Sequence, residues 1–353
     1  MAKTVIGIDL GLHTLKAVCI QGGAKAAVLT RASIVPQTAI TESIQQAAEK
    51  ALSGQIKDLI TQLKGTKGEC HFSLNSPSAV LRYVETPYYS QADMRSSLKL
   101  THQTYLRQTF ENFTFDGICL FGEPELQGKS KKDPKAEEDK HAKKGKTLIA
   151  GLPSPEVMAL FLAATRAGVE PKSLSLAPLS LINGFQSAFP QQFGEGAVLL
   201  LDIGHSSTSL TIIHQGNIFL TRIVNVGGKN VTEYLAQTRG DAQKAQEAMV
   251  EGGDPLGEAV QSGLAPTIRE VRSSINFFER NADTDIQKVY LSGTLVKAPV
   301  SLNTIQSELG FSCEVWNPAE GLQVSLPPGQ RELYSENQAA FAVAIGTARA
   351  ALA

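Results

Sequence analysis

Two stretches of the chain share one pattern of apolar and polar positions. Residues 5–23 read VIGIDLGLHTLKAVCIQGG and residues 198–216 read VLLLDIGHSSTSLTIIHQG. Without a gap, Asp9 aligns with Asp202, Gly11 with Gly204, Thr14 with Ser207, Ile20 with Ile213 and Gly23 with Gly216. Each copy is an apolar run, an Asp-x-Gly turn carrying hydroxyls, a second apolar run and a glycine stop, which predicts a β-hairpin. One such turn after a strand is common. Two copies matching across the whole span argue for a duplication, and a repeat of this kind outranks any single motif as evidence of architecture. The sequel repeats as well. A strand over 25–35 and a helix over 41–64 follow the first hairpin. A strand over 218–226, the pair Gly227-Gly228 and a helix over 230–238 follow the second. Two such units predict a duplicated, two-lobe α/β fold with a cleft between the lobes.

Other elements lie between and after the copies. Residues 70–74, 78–84, 116–123 and 147–151 have strand patterning, and 91–110 and 154–167 have helical patterning. A short strand over 174–177 and a helix over 178–188 follow. Beyond the second hairpin, 256–278 reads as one long amphipathic helix, 289–292 as a buried strand and 338–352 as an alanine-rich closing helix. The expected organisation is a first lobe of 1–69 with 169–194 and 336–353, a small α/β subdomain of 70–168 inserted in it, and a second lobe of 195–335. The stretch 129–146, KSKKDPKAEEDKHAKKGK, has almost no apolar residue with which to offset its ordering entropy, so it is expected to be a disordered loop.

Composition narrows the class. The chain has 353 residues, enough for two cores, and a net charge of -1, which speaks against a nucleic-acid surface. No apolar run approaches the roughly 20 residues that cross a bilayer, and Asp9 interrupts any signal-peptide core at the N-terminus. The four cysteines, Cys19, Cys70, Cys119 and Cys313, show neither metal nor redox spacing. These features predict a cytoplasmic protein. No HExxH or GxGxxG motif is present.

The candidate chemistry sits at the repeated turns. A nucleotide's phosphates are held by backbone N–H groups, a cation and commonly a lysine. Gly11 and Gly204 let the backbone approach closely. His13, Thr14, Ser206, Ser207 and Thr208 add donors, and Lys16 adds a point charge. Asp9 and Asp202, facing one another across the cleft, suit the water shell of Mg2+, which takes one or two carboxylates. Both are expected to border solvent, so that removing either relieves repulsion in the empty protein.

These residues resemble the actin-like ATPase superfamily. The turn DLGLHTLK, with Asp9, Gly11 and Lys16, is similar to the first phosphate motif of that superfamily, and DIGHSSTS, with Asp202 and Gly204, to the second. LSGTL, Leu291 to Leu295, is similar to the adenosine motif, but retains one glycine, Gly293, where two or three are usual. Within the superfamily the chain resembles the PilM family of type IV pilus platform proteins, through GIDLGLHTLKAV, IREVRSSINFFE and FAVAIGTARA, and more distantly the cell-division protein FtsA. The resemblance implies ATP and Mg2+ as ligands, with Lys244, Glu247, Arg272, Ser273 and Gly293 around the adenosine. It implies a partner too, the short cytoplasmic tail of a bitopic inner-membrane pilus protein, PilN-like, which would hold the chain peripherally at the membrane. Self-association is left open.

Two classes of function are therefore expected. One is an ATP-binding scaffold whose inserted subdomain receives the partner tail, through open strand edges at 78–84 and 116–123 and the aromatics Tyr88, Tyr89, Tyr105 and Phe110. The other is an enzyme: an active ATPase, or a small-molecule kinase of the superfamily. A kinase needs a general base, and no candidate stands out in the sequence. An FtsA-like role would call for a basic amphipathic tail, which the ending GTARAALA does not resemble.

Overall fold

The computed structural model describes residues 2–23, 26–38, 49–64, 66–87, 89–119, 144–241, 248–249 and 252–352. The first hairpin is β1 (Lys3–Leu10) and β2 (Thr14–Gly23), followed by β3 (Ala26–Pro36), helix α1 (Glu49–Gln62) and β4 (Glu69–Leu74). With β8 (Pro171–Leu176) and the short β14 (Gln323–Val324) they form a six-stranded sheet in the order β14-β3-β2-β1-β4-β8. The second hairpin, β9 (Ala197–Ile203) and β10 (Thr208–His214), joins β11 (Asn217–Val224), β12 (Lys288–Gly293) and β13 (Cys313–Val315) in the order β11-β10-β9-β12-β13. Apart from β14, the two sheets have the same order and the same strand directions. An antiparallel meander is followed by two parallel additions in each. The registers coincide as well: Asp9 pairs with Lys16, and Asp202 with Ser209.

Two helices fill the space between the sheets. Helix α4 (Ala177–Ala188) packs Leu181, Ile182 and Phe185 against Val198, Leu200, Ile213 and Tyr290 of the second sheet and against Trp316, just beyond β13. The helix of Ala342–Leu352, α11 in chain order, packs Ala344, Ile345 and Ala348, with Phe341 just before it, against Val5, Val18, Ile20 and Leu29 of the first. The helices touch through glycine. A Cβ on Gly346 would lie 1.9 Å from the Ser180 carbonyl oxygen, and one on Gly184 would lie 3.1 Å from Gly346 Cα. On the other face of α11, a Cβ on Gly7 of β1 would lie 2.2 Å from the Ala344 carbonyl oxygen. The alanine-rich composition of α11 is thus a packing requirement, since larger side chains would hold the layers apart.

Several elements differ from the sequence reading. The expected helix over 256–278 is two helices, α7 (Asp254–Gly263) and α8 (Ala265–Ala282). The break falls at Leu264 because Pro266, in the first turn of α8, has no N–H to continue the ladder. Gly263 is held there by contact, since its Cβ would come within 2.9 Å of the Val231 backbone. The closing helix is preceded by a 3₁₀ turn over Gln338–Phe341. Cys70–Leu74, assigned by sequence to the insertion, is β4 of the six-stranded sheet. Gln323–Val324, assigned to the second lobe, pairs with β3 of the first sheet.

The remaining compact unit is Ser78–Met158. Its sheet has the order β5-β7-β6, from β5 (Val80–Pro87), β7 (Lys144–Pro153) and β6 (Phe113–Cys119), so β5 and β6 are its edges. Helix α2 (Gln91–Leu106) lays Met94 and Leu98 on Ile149, with Val84, Tyr89, Tyr105 and Phe115 around them. The helix stops at Arg107, whose left-handed φ of 52° ends the ladder, rather than running to Phe110. Tyr89 and Tyr105 share a hydrogen bond of 3.1 Å between their hydroxyls, and Phe110 packs with Phe113 and Phe115. Tyr88 and residues 129–143 of the expected loop lie outside the described residues, and the last three residues of that stretch, 144–146, are instead the start of β7.

Alanine at Gly346 tests the helix contact. Alanine favours a helix over glycine by about 1 kcal/mol, but the overlap with the Ser180 carbonyl outweighs that gain. Gly346→Ala is expected to lose about 1–3 kcal/mol of stability in urea unfolding. An unchanged midpoint would mean that the two helices can move apart freely.

Candidate functional site

The duplicated turns meet in one cavity, lined on one side by Asp9, Gly11, His13, Thr14 and Lys16 and on the other by Asp202, Gly204, His205, Ser206 and Ser207. The glycines do the same work in both copies. A Cβ on Gly11 would lie 2.7 Å from the Thr14 carbonyl oxygen, and one on Gly204 would lie 2.9 Å from the Ser207 carbonyl oxygen. Each turn therefore folds back on itself more tightly than any side chain allows. In the second copy the Gly204 N–H donates to the Ser207 carbonyl at 3.0 Å. The turn is then fastened from outside. Gly228 and Lys229 N–H, at the start of α6 (Gly228–Arg239), donate to the Gly204 and His205 carbonyls at 2.9 and 2.7 Å. Gly227 permits that approach, because its Cβ would meet the Gly204 carbonyl oxygen at 2.5 Å.

The two aspartates have different surroundings, which corrects the expectation that both simply repel across solvent. Asp9 is buried and paired, with Lys16 Nζ 3.1 Å from its Oδ2 on the neighbouring strand, and Lys16 is equally buried. The second copy has Ser209 at the position of Lys16, so Asp202 has no such cation. It accepts instead from Ser292 Oγ of β12 at 2.7 Å. Burial pushes the Asp202 carboxyl up to about 6, and the Asp9 charge adds to the rise, against the Ser292 hydrogen bond and the charge of Lys16. Asp202 is a carboxylate short of positive charge.

Parallel strand pairing adds residues that the sequence motifs did not single out. Ser73 of β4 stands beside Asp9 as Ser292 of β12 stands beside Asp202. The signal was present as Phe72-Ser73-Leu74-Asn75 against Leu291-Ser292-Gly293-Thr294. Ser73 Oγ is buried with no hydrogen-bond partner. Asn75 Nδ2 donates to Ser207 Oγ at 2.7 Å, tying the end of β4 to the second turn. Thr208 Oγ1, expected as a donor to ligand, is spent on the Val226 carbonyl at 2.8 Å. The rings of His13 and His205 stack across the cavity at 4.2 Å, 16° from parallel. Burial pushes His205 down to about 4, helped by the charges of His13 and Lys229 and opposed by Glu233.

The adenosine residues are dispersed. Gly293 lines the cavity, and its φ of 100° and a Cβ position 2.2 Å from the Ile203 carbonyl oxygen make glycine obligatory. Gly293, Thr294 and Ala340 also line an adjoining cavity of about 350 Å³, with Lys297, Trp316, Asn317, Asn337 and Gln338 on its walls. Arg272 and Ser273 are exposed on α8, and Arg272 Nη2 donates to the Glu308 carbonyl. The structure does not bring these two to either cavity wall. Lys244 and Glu247 lie outside the described residues.

Two sheets of matching order, each ending in an Asp-x-Gly turn on one cleft, define the actin-like two-lobe fold. Residues 140–351 match the family of the type IV pilus assembly protein PilM, and the chain belongs to that family. The fold is similar to that of the PilM-PilN type IV pilus biogenesis complex, with a TM-score of 0.82 at 23% identity over 99% of this chain and 98% of that one. It is also similar to the ethanolamine utilization protein EutJ from Carboxydothermus hydrogenoformans, with a TM-score of 0.53 at 12% identity over 99% and 89% of the two chains. A ROK family glucokinase from Streptomyces griseus, solved with glucose and AMPPNP, gives a TM-score of 0.50 at 12% identity over 98% of each chain. In sequence, 77 residues are 31% identical to the cell division protein FtsA of Bacillus subtilis (strain 168), spanning 22% of this chain and 17% of the length of that relative. No helix among the described residues is long and apolar enough to cross a membrane.

The two aspartates predict opposite effects on stability. The Asp202 carboxyl binds its proton more tightly in the folded than in the unfolded chain. Its ionisation therefore costs stability as pH rises from about 4 through 6, by up to roughly 3 kcal/mol. Asp202→Asn, which keeps an acceptor for Ser292, is expected to raise the melting temperature of the empty protein at pH 8, and to leave it unchanged near pH 4. Asp9→Ala strands buried Lys16 and is expected to lower stability by about 3 kcal/mol at pH 7. Equal and small shifts for both variants would contradict this asymmetry.

Proposed function

We propose that this protein is an actin-like, ATP-binding scaffold of a type IV pilus or related assembly machine. The observation that carries the reading is the pair of turns at Gly11 and Gly204. Each is closed by its glycine onto the carbonyl three residues on, and both face one cavity. Such turns offer backbone N–H groups to phosphate from two sides, with Lys16 and the hydroxyls of Thr14, Ser206 and Ser207 beside them. The AMPPNP of the glucokinase relative supports a nucleotide as the ligand. The base would occupy the side of Gly293 and the adjoining 350 Å³ cavity, between Lys297 and Gln338.

Magnesium fits this donor set. The described residues hold no cluster of three or more His, Cys, Asp or Glu side chains that would chelate a bare transition metal. They do offer two carboxylates, one of them lacking a cation. Mg2+ takes one or two carboxylates and keeps water and phosphate for the rest of its shell. Bound near Asp202, it would supply the positive charge which that carboxyl lacks.

The likeness to the PilM-PilN complex supports a PilN-like membrane partner. The partner's cytoplasmic tail would dock on the unit Ser78–Met158, whose edge strands β5 and β6 are the place for an added extended peptide. Membrane attachment would then come through the partner. A second reading, a slow ATPase, would have the Asp202 carboxylate, which has no lysine opposite it, orient the attacking water. Any turnover is expected to fall well below the enzyme median of about 10 per second.

Millimolar Mg-ATP tests the nucleotide site. A ligand at a hundredfold excess over Kd stabilises the fold by about 2.7 kcal/mol, so a clear rise in melting temperature is expected, and none with Gly204→Val. An unmoved melting temperature in the wild-type protein would remove the nucleotide reading. In pull-down, a membrane partner's tail peptide is expected to be retained by the full chain and lost when edge strand β5 carries Leu81→Pro, with the melting temperature unchanged as a control. Retention by that variant would move the docking site elsewhere.

A further inference from the structure

The cavity between the turns is small, about 70 Å³. A water needs roughly 10–15 Å³ on the same measure, so the space holds a few waters and not a triphosphate with its cation. What spans it is the His13–His205 stack. The two rings come from turns 192 positions apart in the chain, one after β1 and one after β9, and lie nearly parallel at 4.2 Å. The duplication does not require the pair. Alignment of the copies puts Ser206 opposite His13 and Leu12 opposite His205, so the two imidazoles are offset additions to an otherwise matched frame. His205 is held in place through its backbone carbonyl by Lys229 N–H. The charged groups that face the stack are Lys229 and Glu233 of α6, and Asp9, Lys16 and Asp202 along the cavity.

Stacked imidazoles at this distance tolerate at most one ring in the imidazolium form, since two like charges would repel. Burial, the charge of His13 and that of Lys229 disfavour a proton on His205, which is held down to about 4. A polyphosphate changes the balance, because several negative charges enter beside both rings. Resting on the nucleotide reading above, we propose that His13 and His205 form a proton-linked clasp: stacked, they span the phosphate cleft, and on binding of a nucleotide polyphosphate they part, His205 taking up a proton from solvent and donating to a phosphate oxygen. The clasp makes binding proton-coupled. Affinity then rises as pH falls, because the bound state carries a proton that the empty state lacks. Asp202, whose carboxyl is pushed up to about 6, loses its proton rather than gaining one when a cation approaches, and the histidine variants below separate its contribution from that of the clasp.

The experiment is titration calorimetry of the whole chain with Mg-ATP at pH 6.5, in two buffers of different ionisation enthalpy, repeated as binding isotherms from pH 6 to 8. Mg-ATP is used because the cation keeps the nucleotide itself from titrating in this window. Wild-type protein is expected to take up close to one proton and to bind about tenfold more tightly at pH 6 than at pH 8. His13→Gln with His205→Gln keeps amide donors but cannot titrate. It is expected to bind with the uptake removed and the pH dependence flattened. His13→Gln alone, at an exposed position, serves if the double variant melts early, and is expected to reduce both effects. Binding by wild type with the same uptake and pH dependence in the variants overturns the clasp and leaves the nucleotide reading standing. Absence of binding by wild type overturns both.

Discussion

The width of the cleft depends on the contact between α4 and α11 at Gly184 and Gly346. The apolar face of α4 packs chiefly on β9, β10 and β12 and that of α11 on β1, β2 and β3, while α4 also touches β4 and β8. The distance between the helices therefore sets the distance between the sheets. The duplicated turns sit at the ends of the central strands β1 and β9, so the same spacing decides whether they can address one ligand. Interiors pack at crystal-like density and shift in discrete steps. A methyl group at Gly346 would thus be felt at a site to which that residue makes no contact. The glycines at Gly7, Gly184 and Gly346 serve this purpose by having no side chain.

Within that frame the cleft is electrostatically lopsided. The first copy is neutralised internally by the Asp9–Lys16 pair. The second is not, and its aspartate rises toward neutral pH. The difference at one equivalent position of the two hairpins, Lys16 against Ser209, underlies this asymmetry. Under the proposed function, a bound cation would be drawn to the side of the unsatisfied carboxylate. The cost is carried by Asp202 alone, with the Ser292 hydrogen bond limiting it.

The chain belongs to the family of the type IV pilus assembly protein PilM and shares its fold with the PilM-PilN complex. The departures from an ideal nucleotide site are consistent with a scaffold. Gly293 stands alone in its motif, and the side chains most available for chemistry are tied up with one another. Asn75 with Ser207, Thr208 with Val226, and His13 with His205 are all internal links between parts of the cleft. Such links favour a defined closed arrangement over rapid exchange of ligand.

The sequence by itself determined the duplication, because a hairpin writes its two strands and its turn into one short span with a period of two. Asp9, Gly11, Asp202 and Gly204 were legible for that reason. The Asp9–Lys16 pair was within reach too, since hairpin register puts positions seven apart opposite one another here. What the tertiary structure decided involves partners that share no local period. Ser292 reaches Asp202 from a parallel strand 90 positions away, and Asn75 reaches Ser207 across 132. The break at Leu264 was hidden because amphipathic period runs through it, while Pro266 and the Val231 contact at Gly263 set the helix boundary. The side of the molecule to which α4 and β14 belong followed from packing rather than chain order. The protonation of the two aspartates followed from burial and neighbouring charge, which are properties of three-dimensional surroundings and have no representation in a line of residues.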